Sequence, residues 1–318
     1  MRRHAIQMKE IKAEILKINS DIEIIENAPM SKYTSFKAGG HAKALIDVTS
    51  VEDLKALLQL FHKKGVKHMI LGNGSNTLFK DSGYDGIVLR NMINKEIEFG
   101  TDPAELALGE KCEVTVGGTG ILLSTLARTV AAESLTGLEF ASGIPGSLGG
   151  ALFMNAGAYG GEMVQVVKTV RVISPDGMED KIMSNEEMEM SYRHSILEEN
   201  GYIAVEAVLE LTKGDKEAIM AEMKELATKR NTKQPVTYPS AGSTFKRPEG
   251  HFAGKLVEDA GLKGVSVGGA EVSTLHSGFI INKGNATATD ILELIALVQN
   301  RVYDEFGVEL KPEVRIIG

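Results

Sequence analysis

Five stretches of the chain carry apolar residues at helical spacing, and shorter alternating or β-branched runs lie between them. In 8–18, Ile11, Ile15, Leu16 and Ile18 are spaced among charges, which predicts an amphipathic opening helix. Ser50 begins SVED, a capping box with Asp53. It leads a helix whose stripe is Leu54, Leu57, Leu58 and Phe61 and whose end is Gly65. A third helix is predicted over 122–135, with Leu123, Leu126, Ala127 and Val130 on one face. A fourth covers 215–230, with Ile219, Met220, Met223, Leu226 and Ala227 inward and Pro235 as its stop. The last opens on a box of Thr287 and Asp290 and runs to Phe306, closed by Gly307. Strands are predicted over 42–48, 67–71, 86–90, 105–116, 164–174, 201–212, 278–282 and 308–318, with antiparallel character in the pair 164–174 and 201–212.

Two glycine-rich stretches interrupt this pattern. GNGSNTL, 72–78, follows a strand, a helix and a second strand, so it occupies the carboxyl edge of a βαβ unit. It is neither GxGxxG nor GxxxxGK[ST], and no helix-forming run follows it. It reads as a nest of amides with Ser75 and Asn76 around a phosphate, or as a plain hairpin turn. The second, ASGIPGSLGGALFMNAGAYGG over 141–161, sets Gly143, Gly146, Gly149, Gly150 and Gly157 among Ile144, Leu148, Leu152, Phe153 and Met154. Such a segment suits backbone that approaches a ligand closely or adopts positive φ, and equally a bend between packed layers. A further glycine-rich run begins after 234, and a domain boundary is placed near Gln234.

Composition narrows the classes. At 318 residues, with 43% hydrophobic and 25% charged residues, the chain has the make-up of an ordinary globular protein of two or three domains. A net charge of −8 argues against non-specific nucleic-acid binding, so an anionic ligand would need a local basic cluster. The single cysteine, Cys112, excludes an intramolecular disulfide and a multi-cysteine metal site, and no metal is expected. The opening MRRHAIQMKEIKAEILKI lacks the apolar run of a signal peptide, and no stretch approaches the roughly 20 apolar residues of a membrane span. A cytoplasmic protein that binds no membrane is expected.

Three short pieces hold polar residues beside structure-setting neighbours: SYRHS with Arg193, AGSTFKRP with Ser243 and KPEVRIIG with Glu313. An arginine, a serine and a carboxylate could form a proton-transfer site with a cation to hold a substrate carboxylate. No GxSxG elbow is present, so hydrolase-type nucleophilic catalysis has poor support.

In order, TSFKAGG, LGNGSNTL, ASGIPGSLGGALFMNAGAYG, YRHS, PSAGSTFKRP, HSGFIIN and LKPEVRIIG resemble the UDP-N-acetylenolpyruvoylglucosamine reductases, the flavoenzymes called MurB, from about Tyr33 onward. GxGSN with SGIPGxxGG alone resembles only the wider vanillyl-alcohol-oxidase/PCMH type of FAD domain. GSxFK and PEVR add the reductase. The resemblance implies an α+β (mixed α/β) fold in which a two-subdomain FAD-binding part precedes a smaller α+β substrate domain. The expected division is 1–20 as an N-terminal helix, 21–100 and 101–233 as the FAD-binding subdomains, and 234–318 as the substrate-binding domain.

The implied activity is NADPH-dependent reduction of the enolpyruvyl UDP-sugar through FAD, in peptidoglycan precursor synthesis, by a protein expected to be a monomer. The resemblance makes Gly72, Asn73, Gly74, Ser75, Asn76, Ser142, Gly143, Ile144, Gly146, Gly149, Gly150, Ala156, Gly157 and Val205 the cofactor-binding residues. It makes Arg193 and Glu313 the pair that stabilises the intermediate charge and Ser243 the proton donor. Tyr159, Arg230, Lys233 and Arg247 become the substrate-side residues. Arg247 stands where one branch of the family has asparagine, and Ser277 follows His276 where that branch has glutamine. No tyrosine-bearing insertion lies between Tyr202 and Lys233, so the chain resembles the shorter-loop subgroup, type II. The competing readings are another FAD-dependent oxidoreductase or oxidase of the superfamily acting on a sugar or hydroxy acid, and a non-catalytic nucleotide-binding module.

Overall fold

The computed structural model describes residues 2–94 and 96–318, with side chains from residue 8 onward; residue 1 of the expected 1–20 helix lies outside it. The opening helix is Arg2–Ile18, and it buries Ile11 and Ile15 while Leu16 stays exposed. Ser50 caps the helix Val51–Lys64 by accepting the Asp53 N–H, and Asp53 in turn takes the Asn19 side-chain amide at 3.1 Å. Gly65, at φ 62°, closes that helix in the left-handed conformation that glycine adopts at least cost.

A four-stranded sheet has the order Ile24–Pro29, His41–Val48, Tyr84–Asn91, His68–Leu71. The strand–helix–strand unit is therefore split, because Tyr84–Asn91 enters between its two strands and runs parallel to His68–Leu71. Ile87, Val88 and Leu89 are buried in succession, as a strand covered on both faces requires. A larger sheet has the order Asp180–Ser184, Val167–Ile173, Ile203–Lys213, Lys111–Val116, Ile97–Phe99, all antiparallel. Cys112 is buried in it, as a small inert hydrophobe.

Several expected boundaries move. The predicted 122–135 helix is Leu123–Ala132. The chain turns left-handed at Ser134, φ 61°, and Leu135 joins a short strand against Lys213. The predicted strand over 105–116 begins only at Lys111, after a single helical turn at Pro103–Glu105 capped by Asp102. The fourth helix is Lys216–Lys233 and buries Ile219 and Met223; Met220 and Ala227, expected inward, are exposed. Its apolar face is thus narrower than a five-residue stripe. At the far end only Arg315–Ile317 is a strand.

The chain divides into two compact units that are discontinuous in sequence. The first comprises the residues up to Glu26, Ala44–Asn73 and Gly86–Leu226; the second comprises Asn27–Lys43, Gly74–Asp85 and Ala227–Gly318. Two apolar clusters build the first unit. One, with Val114, Leu126, Leu152, Met163 and Leu209, underlies the larger sheet, and the other, with Ile15, Ile46, Leu57, Phe61 and Leu89, underlies the helix Val51–Lys64. The second unit has one cluster, centred on Phe36, Leu78, Phe245, Ile280, Ile291 and Val298. There Arg315–Ile317 pairs in parallel with Thr77–Phe79, the strand that follows the GNGSN turn.

The helix Ala288–Phe306 opens on the reciprocal box of Thr287 and Asp290, as expected, and ends at Gly307 with φ 68°. Asp81 also serves it from 207 residues away: its carboxylate accepts the Ala288 N–H at 3.0 Å and, from Thr289, the N–H at 2.8 Å and the hydroxyl at 2.7 Å. With Asp290 N–H on Thr287, the first three amides of the helix are all satisfied. Partial burial raises the Asp81 pKa, but the bonds from Thr289 and Ala288 outweigh it and leave the group below its ordinary value. A carboxylate with a depressed folded-state pKa contributes stability above its unfolded value and loses it as pH falls through the folded one. Asp81→Ala should lower stability by about 1–2 kcal/mol at neutral pH, read from the urea midpoint, and the difference from wild type should shrink in acid.

Candidate active site

In the first unit the glycine-rich segment holds a short helix, Leu148–Phe153, between a 3-10 turn and a two-residue-strand hairpin. Glu139–Gly143 forms a single 3-10 turn, with the Ser142 hydroxyl donating to the Glu139 carbonyl at 2.7 Å. Leu148–Phe153 is helical, so Gly149 and Gly150 do not serve as positive-φ residues. Gly149 donates its N–H to the Thr119 carbonyl at 2.8 Å, and a Cβ there would come within 3.1 Å of the Thr119 hydroxyl. Gly157 is required by its own hairpin, since a Cβ would meet the Gly161 carbonyl at 2.6 Å. Gly150 differs: it is exposed, and a Cβ would find only the Ser147 hydroxyl, 3.7 Å away. Close packing thus accounts for Gly149 and Gly157, while Gly150 presents open backbone.

Thr119 anchors the segment. Fully buried, it accepts the Asn91 amide at 2.8 Å and donates to the Ala204 carbonyl at 2.7 Å. The turn residues Gly72 and Asn73 meet the same segment: Asn73 donates its side-chain amide to the Pro145 carbonyl at 2.5 Å, and a Cβ on Gly72 would lie 2.5 Å from the Ser147 hydroxyl. That hydroxyl is the feature that sequence reading missed. Ser147 is 2% exposed, its Oγ has no hydrogen-bond partner among the described residues, and it does not cap the helix that follows it. A buried hydroxyl left unsatisfied costs about 1–3 kcal/mol. Its only sequence signal was a serine inside GSLGG.

Val205 is the extra residue of a β-bulge. On the facing strand Arg171 opposes Glu206 and Val172 opposes Ala204. Its side chain is buried in the apolar cluster around Ile46 and Phe61, so a cofactor would meet it through the main chain. Ala156 is buried, and Ile144 packs against the cluster beneath the larger sheet. Gly143 closes the 3-10 turn, and Gly146 accepts the Leu123 N–H at 3.0 Å.

Tyr159 and Gly160 form the tip of the hairpin Gly157–Ala158/Gly161–Glu162, both with positive φ, 53° and 93°. That is type I′ geometry, for which tyrosine is an unusual choice, and it holds the half-exposed ring outward. Arg193 is left-handed too, at φ 55°. Such non-glycine residues cost of order 1 kcal/mol each and persist only where neighbours over-determine them. The Arg193 guanidinium donates to the Gly157 carbonyl at 3.0 Å and lies 5.1 Å from the Tyr192 ring centre.

In the second unit three expected pieces meet. Glu313 N–H donates to the Thr244 carbonyl at 2.8 Å, Lys246 N–H donates to the Lys311 carbonyl at 2.8 Å, and Phe245 opposes Pro312 in an antiparallel bridge. This pairing lays the Ser243 motif along the Glu313 motif, with Ser243 exposed and Thr244 buried behind it. Asn76 joins them, its side-chain amide donating to the Glu313 carbonyl at 3.1 Å and its own carbonyl accepting the Arg315 N–H at 3.0 Å. Gly74 and Ser75 are fixed from the same unit: Ser35 N–H donates to the Gly74 carbonyl at 3.0 Å and the Ser35 hydroxyl to the Ser75 carbonyl at 3.2 Å. A Cβ on Gly74 would strike the Tyr33 carbonyl at 2.0 Å.

Arg230 and Lys233 stand one turn apart at the end of Lys216–Lys233, and Arg247 lies over the Phe252 ring at 3.9 Å. His276 accepts the Gly278 N–H on Nδ1 at 3.1 Å, and burial pushes its pKa down, so the neutral ring carries its proton on Nε2. Among the described residues no cluster of His, Cys, Asp or Glu could hold a metal. No helix among them is long and apolar enough to cross a membrane.

Comparison with known proteins bears on both units. Residues 42–180 match the family of FAD binding domains, and residues 234–317 match the family described as UDP-N-acetylenolpyruvoylglucosamine reductase, C-terminal domain. The UDP-N-acetylenolpyruvoylglucosamine reductase of Lachnoclostridium phytofermentans is 48% identical over 305 residues, 96% of each chain. That of Clostridium novyi is 48% identical over 314 residues, 98% of each. The chain belongs to the UDP-N-acetylenolpyruvoylglucosamine reductases. The crystal structure of the Thermus caldophilus reductase is 34% identical, covers 93% of this chain and 99% of its own, and superposes with a TM-score of 0.74. The mixed α+β, FAD-binding architecture expected of the family is thereby established, with FAD and NADPH as its cofactors.

The residues present suit FAD. Gly72, exposed Gly150 and the unspent Ser147 hydroxyl form a glycine-lined, polar set that can donate to a phosphate or a flavin edge. Ser147→Ala should weaken FAD binding to the apoprotein about five- to tenfold, the worth of one net hydrogen bond. Gly72→Ala should weaken it more, because its Cβ must displace that hydroxyl. Fluorescence titration with FAD checks both, and an unchanged affinity in Ser147→Ala would turn the hydroxyl away from the cofactor.

Proposed function

We propose that the two groups of residues serve one reaction, the NADPH-dependent reduction of UDP-N-acetylenolpyruvoylglucosamine to UDP-N-acetylmuramate. The observation that best supports it is the pairing of the Ser243 motif with the Glu313 motif in the unit that matches the family's C-terminal domain. Bound FAD supplies hydride transfer, taking two electrons from NADPH and delivering them to the enol-ether double bond. Addition there leaves negative charge on the carbon next to the substrate carboxylate, an enolate-like state that needs electrophilic support and then a proton.

Arg193 gives that support with its guanidinium. Glu313 completes the pair. Ser243 delivers the proton to the carbon, which demands that its neighbours polarise it, since a serine hydroxyl is a weak acid. Lys233 and Arg230 take the diphosphate of the nucleotide sugar, supplying the local cations that a chain of net charge −8 needs, and Arg247 and Tyr159 are further substrate-side residues. Segments 21–100 and 101–233 serve FAD and 234–318 the substrate. The enzyme works as a cytoplasmic monomer and serves peptidoglycan synthesis, and through it cell-wall biogenesis, cell shape and cell division.

The purified protein should be yellow, be bleached by NADPH and regain its colour anaerobically on addition of the enolpyruvyl sugar nucleotide. Ser243→Ala should leave bleaching by NADPH intact and slow recolouring by roughly 10²- to 10⁴-fold, followed by stopped-flow absorbance; equal rates in both half-reactions would remove Ser243 from the proton-donor role. Lys233→Ala should raise KM for the nucleotide sugar about tenfold with kcat little changed, since a charge-assisted bond is worth about 1.5–3 kcal/mol.

A further inference from the structure

The turn that carries Arg193 is held from behind by two side chains that the proposed reaction does not use. Ser191 and His194 exchange N–H to carbonyl bonds at 3.1 and 3.2 Å, leaving Tyr192 and Arg193 as the two residues of the tip. One end of the turn is fixed by Asn155, wholly buried, whose Nδ2 donates to the Ser191 carbonyl at 3.0 Å and to Glu162 Oε2 at 3.0 Å while Oδ1 accepts the Val164 N–H at 2.9 Å. The other end is fixed by Ser195, also wholly buried, whose hydroxyl donates to the Phe153 carbonyl at 2.7 Å.

Both bonds lead to 153–155, the continuation of the helix that holds Gly149 and Gly150, and Arg193 itself reaches the Gly157 carbonyl at 3.0 Å. The strained residues gather in the same place. Asn155, Tyr159, Glu189 and Arg193 are left-handed at φ 45°, 53°, 45° and 55°. A short polar tip with a left-handed arginine has no conformational preference for this geometry, so the outside bonds must impose it.

We infer that Asn155 and Ser195 are positioning residues: a two-point latch that fixes the Arg193 guanidinium relative to the cofactor-binding segment 149–157. The latch acts only through the arginine. It rests on the reading of Arg193 as the group that stabilises charge during reduction. A displacement of about 1 Å at a charge-stabilising group can cost on the order of a hundredfold in rate.

A double-mutant cycle tests this, with anaerobic reoxidation of the NADPH-reduced enzyme by the enolpyruvyl sugar nucleotide as the readout. Asn155→Ala and Ser195→Ala should each slow reoxidation roughly ten- to a hundredfold. In an Arg193→Ala background, itself slow, either change should cost less than about twofold, because the group they position is gone. The same loss in both backgrounds would make them scaffold residues and overturn the latch. Native reoxidation by Arg193→Ala would overturn the role of Arg193 and the latch with it. A slow Arg193→Ala beside fast Asn155→Ala and Ser195→Ala would overturn the latch alone. Should Asn155→Ala fail to fold, Ser195→Ala carries the cycle, since it removes a single bond.

Discussion

The buried hydroxyl of Thr119 is the constraint on which the cofactor side of this protein depends. Its oxygen stands between the Asn91 amide, at the end of one sheet's strand, and the Ala204 carbonyl, in a strand of the other sheet, and its own carbonyl receives Gly149. Two sheets and the glycine-rich helix are thus tied at one residue that no water reaches. Losing one partner would strand the others unsatisfied, which costs more than the net worth of the bond itself. The neighbouring backbone shows how tightly the crossing is drawn: a Cβ on Gly118 would meet the Ile93 carbonyl at 2.4 Å, and one on Gly120 the Met92 carbonyl carbon at 2.7 Å.

The second unit solves the same problem largely with main chain. Ser243 and Glu313 come together through a short antiparallel pairing and the Asn76 side-chain amide, so neither of their own side chains is needed to hold the two segments together. Thr244, buried beside Ser243, uses its hydroxyl to accept the Ile280 N–H at 3.0 Å. The exposed serine stands next to residues whose own polar groups are already spent on structure. In the first unit the roles are reversed. There Asn155, Tyr159, Glu189 and Arg193 take positive φ, and the buried Asn155 and Ser195 side chains brace the Arg193 turn.

Much of this was legible in the sequence where local chemistry decides the outcome. The Thr287–Asp290 box, the closing glycines Gly65 and Gly307 and the antiparallel pair around Val167–Ile173 formed as their residue types direct. The motifs with Arg193, Ser243 and Glu313 were visible as well, because polar residues between turn formers stand out. What stayed hidden depends on distant partners. Nothing near Leu135 in sequence says that Lys213 will draw it into a sheet, nor does the alternation in 67–90 reveal that Tyr84–Asn91 will split the strand–helix–strand unit. The glycines of 141–161 suit close approach to a ligand, positive φ or a bend between layers, and the structure shows Gly149 and Gly157 packed closely on the chain itself, against Thr119 and Gly161. Ser147, Asn155 and Ser195 escaped because a small polar residue looks like loop until its burial is known.

The long reach of Asp81 and of Thr77–Phe79 bears on how the protein is made. A ribosome delivers 74–85 early, yet the strand at 77–79 has its parallel partner only in Arg315–Ile317, and Asp81 has its amides only at Ala288 and Thr289. More than two hundred residues must be synthesised before either contact can close, and through that interval a short apolar strand, Thr77–Phe79, waits with an unpaired edge. Completion of the second unit therefore waits for the last residues of the chain. A nascent chain halted before residue 313 would leave the first unit's segments made and the Asn76–Glu313 corner unformed.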